Sequence, residues 1–138
     1  MKKPKVLHVD ENHPLLLEGL ESLGYENSLA YEVPFEELLP KLKNATGLVI
    51  RSRFPVDKTC IDAAPKLKFI ARVGAGLETI DRDYAESKNI ALLAAPEGNR
   101  NAVGEHALGM LLSLLNKLRL GHQSIVSGTW LREAHRGW

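Results

Sequence analysis

The sequence lacks the residues that mark several large classes of protein. Its single cysteine, Cys60, has no intrachain partner, so a disulfide framework is excluded and a reducing cytoplasm is the expected location. The segment MKKPKVLHVDE holds Asp10 and Glu11 where a secretory signal would continue as an apolar run. The histidines show no metal-ligand spacing, and we expect no metal site.

Charge of one sign is also missing, since 18 lysines and arginines stand against 17 acidic residues. Without a long-range basic field, nucleic acid is not an expected partner. The most apolar stretch, residues 102–120, contains Glu105, His106, Lys117 and Arg119, and such charges are costly inside a bilayer. We therefore expect a soluble protein with no membrane partner.

What the sequence does contain is a regular alternation of short β-branched runs with longer segments of helical period. Predicted strands cover residues 5–10, 28–33, 47–51, 68–73 and 90–93, and predicted helices cover residues 14–23, 35–43, 57–64 and 79–87. The last three strands are continuous apolar runs, as in the buried centre of a parallel sheet. We expect residues 1–98 to form one α/β domain, a flavodoxin-like, doubly wound parallel sheet of five strands.

Residues 99–138 have a different pattern, in which one long helix is predicted after Asn99. Apolar side chains form a stripe along this helix and also cover much of the rest of its surface. They are Val103, Ala107, Leu108, Met110, Leu111, Leu112, Leu114, Leu115 and Leu118. Leaving even three such side chains exposed would lose on the order of 5 kcal/mol. We therefore expect the chain to form a homodimer.

The best local indication of a binding site is FIARVGAGLETID, in which the fourth predicted strand runs into Gly74, Ala75 and Gly76. Glycines without Cβ atoms let consecutive N–H groups point at one anion, and a helix beginning near Thr79 would reinforce them. Thr79 stands where the dinucleotide fingerprint GxGxxG has its third glycine, so the motif does not predict a nucleotide site. An ordinary tight turn is the alternative interpretation.

A second set of anion-binding groups is expected at the same edge of the sheet. The third predicted strand ends in Arg51, Ser52 and Arg53, and the carboxyl ends of neighbouring parallel strands line one crevice. Either arginine could bind a carboxylate or a phosphate in bidentate fashion. A solvated strand end is the alternative for these arginines, and Arg72 is expected to point to the other face.

Four segments, taken in order and with their spacing, carry a resemblance to a known family: GLVIRSR, FIARVGAGLETID, APEGNRNAVGEHALGMLLSLLN and GTWLREAHRG. The chain resembles the NAD-dependent D-2-hydroxyacid dehydrogenases over essentially its full length, and most closely their phosphoglycerate dehydrogenase branch. The resemblance implies a small 2-hydroxy or 2-oxo acid as substrate, with 3-phosphoglycerate of serine biosynthesis as the favoured one. It also implies NAD as the cofactor of the parent enzyme.

The resemblance further implies roles for individual residues. The implied substrate-binding residues are Arg51, Ser52, Gly74, Ala75, Gly76 and Arg132. The implied cofactor-binding residues are Ala75 and Val103. The glycine segment would hold the substrate carboxylate near the nicotinamide, and residues 99–136 would embrace a second subunit as a dimerisation arm. Arg132 would then reach the active site of that subunit.

The same resemblance implies that the reactive groups are missing from this chain. The Rossmann glycine fingerprint, and the Arg, Glu and His that such enzymes use, would lie beyond Trp138, so no catalytic residue is expected here. Residues 99–138 would be the interdomain helix and arm that begin a truncated NAD-binding domain. We expect negligible turnover and little or no NAD binding. Thr79 also replaces an Asn of many relatives, which affects a local hydrogen bond.

Two other functions remain open at this point. A receiver domain shares the five-stranded fold, and Asp10 and Glu11 follow the first strand. Phosphoryl acceptance, however, needs an Asp where Arg51 stands and a Lys where Ala95 and Pro96 stand. A stand-alone interaction module would instead use the apolar helix to recruit a different protein and would leave the glycine segment without a ligand.

Overall fold

A computed structural model describes residues 3–137 of the chain. It consists of two units, Met1–Gly98 and Asn99–Trp138. The boundary lies where the alternating strand and helix pattern gives way to the apolar helical pattern. Each unit is described by itself.

Five short strands and four helices alternate along the first unit. The strands are β1 (Lys5–His8), β2 (Glu26–Leu29), β3 (Ala45–Ile50), β4 (Phe69–Arg72) and β5 (Ala91–Ala94). The helices are α1 (Pro14–Ser22), α2 (Phe35–Leu42), α3 (Lys58–Asp62) and α4 (Arg82–Ser87). All strand pairs are parallel, and the sheet order is β2-β1-β3-β4-β5. The predicted α/β fold with a flavodoxin-like parallel sheet is confirmed.

One face of the sheet packs against α2, α3 and α4 and forms the main core. The register places Leu7, Leu48, Ile70 and Leu92 in one row across four strands. Leu48 and Ile70 have no exposed surface, and burial of each side chain contributes roughly 1.5–3 kcal/mol. Helix residues in the same cluster are Leu38, Leu42, Cys60, Ile61 and Ala85.

Helix α1 covers part of the opposite face, as the contacts of Asn27 show. The Oδ1 atom of Asn27 lies 2.8 Å from Nε2 of His8, and its Nδ2 group donates to the Leu17 carbonyl of α1 at 2.9 Å. His8 is paired with Val49 of β3, and both side chains are buried beneath this side. Helices on both faces make the sheet doubly wound.

Side-chain caps explain why two helices begin later than the sequence pattern predicts. Asp57 Oδ1 accepts a hydrogen bond from the Cys60 N–H at 3.0 Å, and Asp81 Oδ1 accepts one from the Tyr84 N–H at 3.1 Å. A carboxylate that satisfies an N–H group of the first turn fixes the start of the helix at the next residue. Helix α4 therefore begins at Arg82 rather than near residue 79.

Two strands differ from their predicted form. β2 begins at Glu26 because this residue pairs with Lys5 at the start of β1, and the strand ends before the predicted range does. The expectation that the fifth strand is buried and central is wrong. β5 forms an edge of the sheet, where Leu93 is 51% exposed. An apolar run alone does not distinguish a central strand from an edge strand.

Over residues 99–137, the second unit contains two helices, α5 (Arg100–Leu115) and α6 (Leu118–Val126). The prediction of one long helix is wrong, because Lys117 adopts left-handed backbone geometry with φ 51° and separates them. At the end of α5, the Leu112 carbonyl accepts both the Asn116 N–H at 2.9 Å and the Nδ2 group of Asn116 at 3.0 Å. Neither helix has a buried residue.

None of the helices in residues 3–137 combines the length and the apolar character that crossing a membrane requires.

Candidate functional site

The candidate site lies at the carboxyl edge of the sheet, where β3 and β4 end. The two strands are neighbours, with Ile50 paired to Arg72, and the Val73 N–H donates to the Ile50 carbonyl at 2.8 Å. Residues 51–53 therefore run beside residues 73–76. The site predicted from the sequence requires β3 and β4 to be neighbours, and parallel α/β sheets bind ligands at this edge.

The backbone of Arg51 is fixed on both sides. Its N–H donates to Oδ2 of Asp10 at 2.6 Å, and its carbonyl accepts from Nε of Arg72 at 3.0 Å. Among the described residues, none forms a hydrogen bond or ion pair with the Arg51 guanidinium, and the side chain is exposed. A fixed backbone with an available cationic side chain suits the binding of an anion from solution.

Arg53 has a structural role that the sequence pattern did not reveal. Its Nη1 atom donates to the carbonyls of Val9 at 2.8 Å and Ala30 at 2.9 Å, and its Nη2 atom donates to that of Val33 at 2.6 Å. These bonds tie the segment after β3 to the segments that follow β1 and β2. The Arg53 guanidinium is therefore occupied, whereas that of Arg51 is available and the Ser52 side chain is exposed.

The glycine segment offers two available amides rather than three. The Gly74 N–H donates to the Arg72 carbonyl at 2.9 Å and is already used. Within residues 3–137, the N–H groups of Ala75 and Gly76 have no hydrogen-bond partner. The prediction that a helix N-terminus near Thr79 reinforces these amides is wrong, because α4 begins only at Arg82. The anion-binding capacity of this segment therefore comes from the two amides and from nearby side chains.

The guanidinium of Arg72 lies against the glycine segment. A Cβ atom on Gly74 would lie 2.6 Å from Nη1 of Arg72, so the glycine makes room for the arginine. The expectation that Arg72 points to the other face is wrong, because Arg72 ends β4 and its side chain turns along the sheet edge to reach the Arg51 carbonyl. A positive charge therefore lies beside Gly74, which precedes the two free amides in the sequence.

A carboxylate of the chain itself lies beside the second glycine. A Cβ atom on Gly76 would collide with both carboxylate oxygens of Glu78. The Glu78 side chain therefore approaches the backbone of Gly76 closely, which a larger residue at position 76 would prevent. No motif in the sequence marked Glu78, because only the folded loop brings its carboxylate back to the glycine.

Thr79 leaves its hydroxyl buried without a partner among the residues that the structure describes. Its carbonyl accepts from the Val56 N–H at 2.8 Å, and the neighbouring Ile80 forms a parallel bridge with Val56. A buried hydroxyl without a hydrogen bond costs about 1–3 kcal/mol. The sequence flagged this position as a departure from many relatives, and the structure shows that the threonine hydroxyl is unsatisfied there.

Two titratable groups of the first unit are unsuited to catalysis at neutral pH. Burial lowers the pKa of His8 below its usual 6.5, although the hydrogen bond to Asn27 acts in the opposite direction. Burial, with a smaller effect of the Asp57 charge, raises the pKa of Cys60 to about 12. The imidazole is therefore neutral and the thiol protonated. The described residues contain no group of three or more His, Cys, Asp or Glu side chains placed to hold a metal ion.

The other predicted site residues lie in the second unit. Val103, in the first turn of α5, is 59% exposed. Arg132 follows α6 and is exposed. It lines a cleft of about 230 Å³ together with Trp130 and His135. Both predicted residues thus present their side chains on the surface of the second unit.

Sequence comparison identifies the family. The family described as D-isomer specific 2-hydroxyacid dehydrogenase, catalytic domain, matches residues 6–134. The D-3-phosphoglycerate dehydrogenase of Methanocaldococcus jannaschii is 35% identical over 133 residues, which are 96% of this chain and 25% of that relative. The chain spans about a quarter of the length of this curated relative.

Solved structures show the same fold. A protein from Pyrococcus horikoshii OT3 has a TM-score of 0.84 at 22% identity, over 94% of this chain and 38% of that one. The NAD+-bound 3-phosphoglycerate dehydrogenase of Entamoeba histolytica has a TM-score of 0.67 at 28% identity, over 84% of this chain and 40% of that one. The family resemblance carried by the sequence motifs is confirmed, and the chain belongs to the D-isomer specific 2-hydroxyacid dehydrogenases.

Proposed function

We propose that residues 1–98 are the substrate-binding domain of an NAD-dependent oxidoreductase that acts on the CH–OH group of 3-phosphoglycerate. The observations that carry this proposal are the available guanidinium of Arg51, the free amides of Ala75 and Gly76, and the pairing of β3 with β4, which brings the two segments side by side. Family membership supports the reaction class, and a relative named D-3-phosphoglycerate dehydrogenase supports the substrate. A receiver-domain function is not supported, since Asp10 accepts the Arg51 N–H and no aspartate ends β3.

The proposed substrate has two anionic groups, and the carboxyl edge offers two kinds of donor. The adjacent amides of Ala75 and Gly76 suit a carboxylate, because each N–H can donate to one oxygen. The guanidinium groups of Arg51 and Arg72 suit a phosphate, because the planar fork of arginine donates parallel charge-assisted bonds. The exposed hydroxyl of Ser52 adds a neutral donor. These groups bind and orient the acid, and none of them exchanges a proton with it.

Glu78 has to move before a carboxylate can bind at Gly76. Its own carboxylate lies against that glycine, and two negative charges in contact repel each other. The side chain is exposed and makes no hydrogen bond or ion pair among the described residues, so its rotation breaks no bond. We therefore expect substrate binding to displace Glu78 and to leave the backbone of the loop unchanged.

NAD supplies the hydride acceptor in the proposed parent enzyme. The resemblance implies Ala75 and Val103 as its contacts in this chain, and each is exposed and uncharged in its own unit. A dinucleotide pyrophosphate needs a glycine fingerprint that leads into a helix, whereas Thr79 replaces the third glycine and α4 has six residues. We therefore expect very weak NAD binding and negligible turnover from this chain alone.

Residues 99–136 are proposed to form the homodimer arm. Helices α5 and α6 border an open groove of about 880 Å³, whose lining includes Met110, Leu114 and Leu120. An exposed apolar surface of this kind is typical of a protein interface, and a two-fold pair of identical arms would cover it on both copies. Arg132 would then be presented to the partner subunit. A cytoplasmic location, predicted from the single cysteine, belongs to the same proposal.

The proposal is tested by titrating 3-phosphoglycerate into the chain and into an Arg51→Gln variant, with calorimetric detection. Loss of charge-assisted hydrogen bonds worth about 1.5–3 kcal/mol should weaken binding by at least about tenfold. Arg82→Gln is the matched control, because it removes the same charge from an exposed position at the start of α4. That control should stay within about twofold, since a distant exposed charge is screened.

Equal weakening by both substitutions would refute a specific Arg51 contact. Binding of D-glycerate, which lacks the phosphate, as tightly as 3-phosphoglycerate would contradict the proposed substrate but not the carboxylate site. NADH production from 3-phosphoglycerate by the purified chain would contradict the expected inactivity.

A further inference from the structure

The amino edge of the sheet, opposite the substrate site, carries an excess of positive charge. Four acidic residues lie at this edge: Glu21, Glu26, Asp62 and Glu86. Among the described residues, seven lysines lie at the starts of strands and near the ends of helices there: Lys3, Lys5, Lys41, Lys43, Lys66, Lys68 and Lys88.

Helix dipoles account for some of these lysines but not for all. Lys41 lies in the last turn of α2, Lys43 caps that helix, and Lys88 caps α4, where a positive charge stabilises the carboxyl end of a helix. Lys3 and Lys66 lie outside the helices, so the helix dipole gives no reason for their positions.

Three of the lysines that the helix dipoles leave unexplained, Lys3, Lys5 and Lys66, line one cleft. It has a volume of about 340 Å³, and its lining residues are Lys3, Pro4, Lys5, Asn44, Thr46 and Lys66. This lysine cleft has three ammonium groups and two uncharged polar side chains, and no described acidic residue lines it. Gathering like charges around one cavity is unfavourable unless an anion compensates them.

One hydrogen bond joins two of the side chains that line the lysine cleft. Lys66 Nζ donates to Asn44 Oδ1 at 3.0 Å, which leaves the Nδ2 group of Asn44 as a donor. Lys5 is paired with Glu26 at 2.8 Å and is partly neutralised. Lys3 forms no ion pair among the described residues, so Lys3 and Lys66 are the two cations without a carboxylate partner.

We propose that the lysine cleft binds a phosphate dianion, either inorganic phosphate or the phosphate group of a small ester. Two ammonium groups, an amide and the hydroxyl of Thr46 together match the several acceptor oxygens of a phosphate, and lysine binds phosphate as a point charge. The cleft lies roughly 16 Å from Arg51, the length of five strand residues from Thr46 onward. The site is therefore separate from the substrate site at the opposite edge.

The test is a titration of the chain with inorganic phosphate at constant ionic strength, followed by amide resonances in 1H–15N NMR spectra. The amides of Thr46 and Lys66 should shift saturably. A Lys3→Gln/Lys66→Gln variant should weaken the fitted affinity by about tenfold or more, since it removes two charge-assisted contacts. A Lys41→Gln/Lys43→Gln variant removes the same net charge from a helix end and should leave the affinity within about twofold.

Equal weakening by the two double variants would overturn the proposal, because it would show a diffuse field rather than a site. Shifts that follow ionic strength without saturation would overturn it as well. Arg51→Gln should leave the Thr46 and Lys66 shifts unchanged, which separates this site from the substrate site. Glycerol 3-phosphate then distinguishes the two sources: tighter binding than inorganic phosphate identifies an ester as the ligand, and equal affinity identifies the free ion.

Discussion

The two units of the chain differ in where their apolar side chains lie, which is inside a core in the first unit and on the surface in the second. In the first unit, side chains such as Leu48 and Ile70 are completely buried between the sheet and its helices. In the second unit, Leu108, Met110 and Leu114 are 55%, 58% and 75% exposed. Apolar content therefore does not make a core by itself. A core needs a second layer of structure, which the sheet supplies to α2, α3 and α4 and which α5 and α6 do not supply to each other.

The pattern of apolar residues explains the difference. In α2, the buried residues Leu38 and Leu42 lie one turn apart, so a single stripe faces the sheet while charged residues face outward. In α5, apolar residues occur on nearly every side, and no single stripe selects one partner surface. A helix of this kind is suited to more than one contact, which is the basis of the proposed dimer arm.

The strongest test of this difference between the units replaces one leucine by alanine in each. Leu48→Ala should lower the free energy of unfolding by about 2–5 kcal/mol, because it opens a cavity in a fully packed core. Leu108→Ala, in α5, should change it by no more than about 0.5 kcal/mol, since an exposed side chain has little packing to lose. Urea unfolding, followed by far-ultraviolet circular dichroism over a dilution series, measures both.

A dilution series is needed because association of the second unit would add concentration-dependent stability. If Leu108→Ala were as destabilising as Leu48→Ala at every concentration, the second unit would have a core of its own. The contrast between the units would then be wrong.

The sheet was predictable because its signal is local and repeated. Each short β-branched run is followed by a helical segment, and right-handed parallel crossovers leave few possible strand orders. The edge position of β5 was not predictable from its apolar sequence, which resembles that of a central strand. The break at Lys117 was also hidden, because neither glycine nor proline marks it.

The candidate site was predictable only in part, for a related reason. Arg51 and the glycine segment follow directly from strand ends that meet at one edge. The Arg53 guanidinium is occupied, whereas that of Arg51 is available, because the carbonyls of Val9, Ala30 and Val33 bind Arg53. These carbonyls come from distant parts of the sequence. The position of Glu78 against Gly76 depends on the path of the loop, which strand and helix patterns do not encode.

A charge introduced on each unit should affect dimerisation differently. Leu114→Glu should weaken the proposed dimer by about thirtyfold or more, because an unpaired carboxylate in an apolar interface costs about 2 kcal/mol or more. Leu23→Glu is the matched control, since Leu23 is 74% exposed against 75% for Leu114 but lies in the first unit. Sedimentation velocity measures both, and the control should associate like the original chain. A chain that stays monomeric at all concentrations would refute the homodimer and favour a different protein as the partner of α5.

The smallest effect that the comparison predicts is a dependence of stability on pH that comes from His8 in the first unit. Burial lowers the pKa of His8, so below the unfolded value of 6.5 the unfolded chain binds a proton more readily than the folded chain. Stability from this group is therefore fully present above about pH 6.5 and is lost as the pH falls below it, while the Asn27 bond limits the loss. His8→Asn should flatten the free energy of unfolding against pH in that range. His106→Gln, at an exposed position of α5, should leave the curve parallel to that of the original chain. If both substitutions flattened the curve equally, burial of His8 could not be the source of the pH dependence.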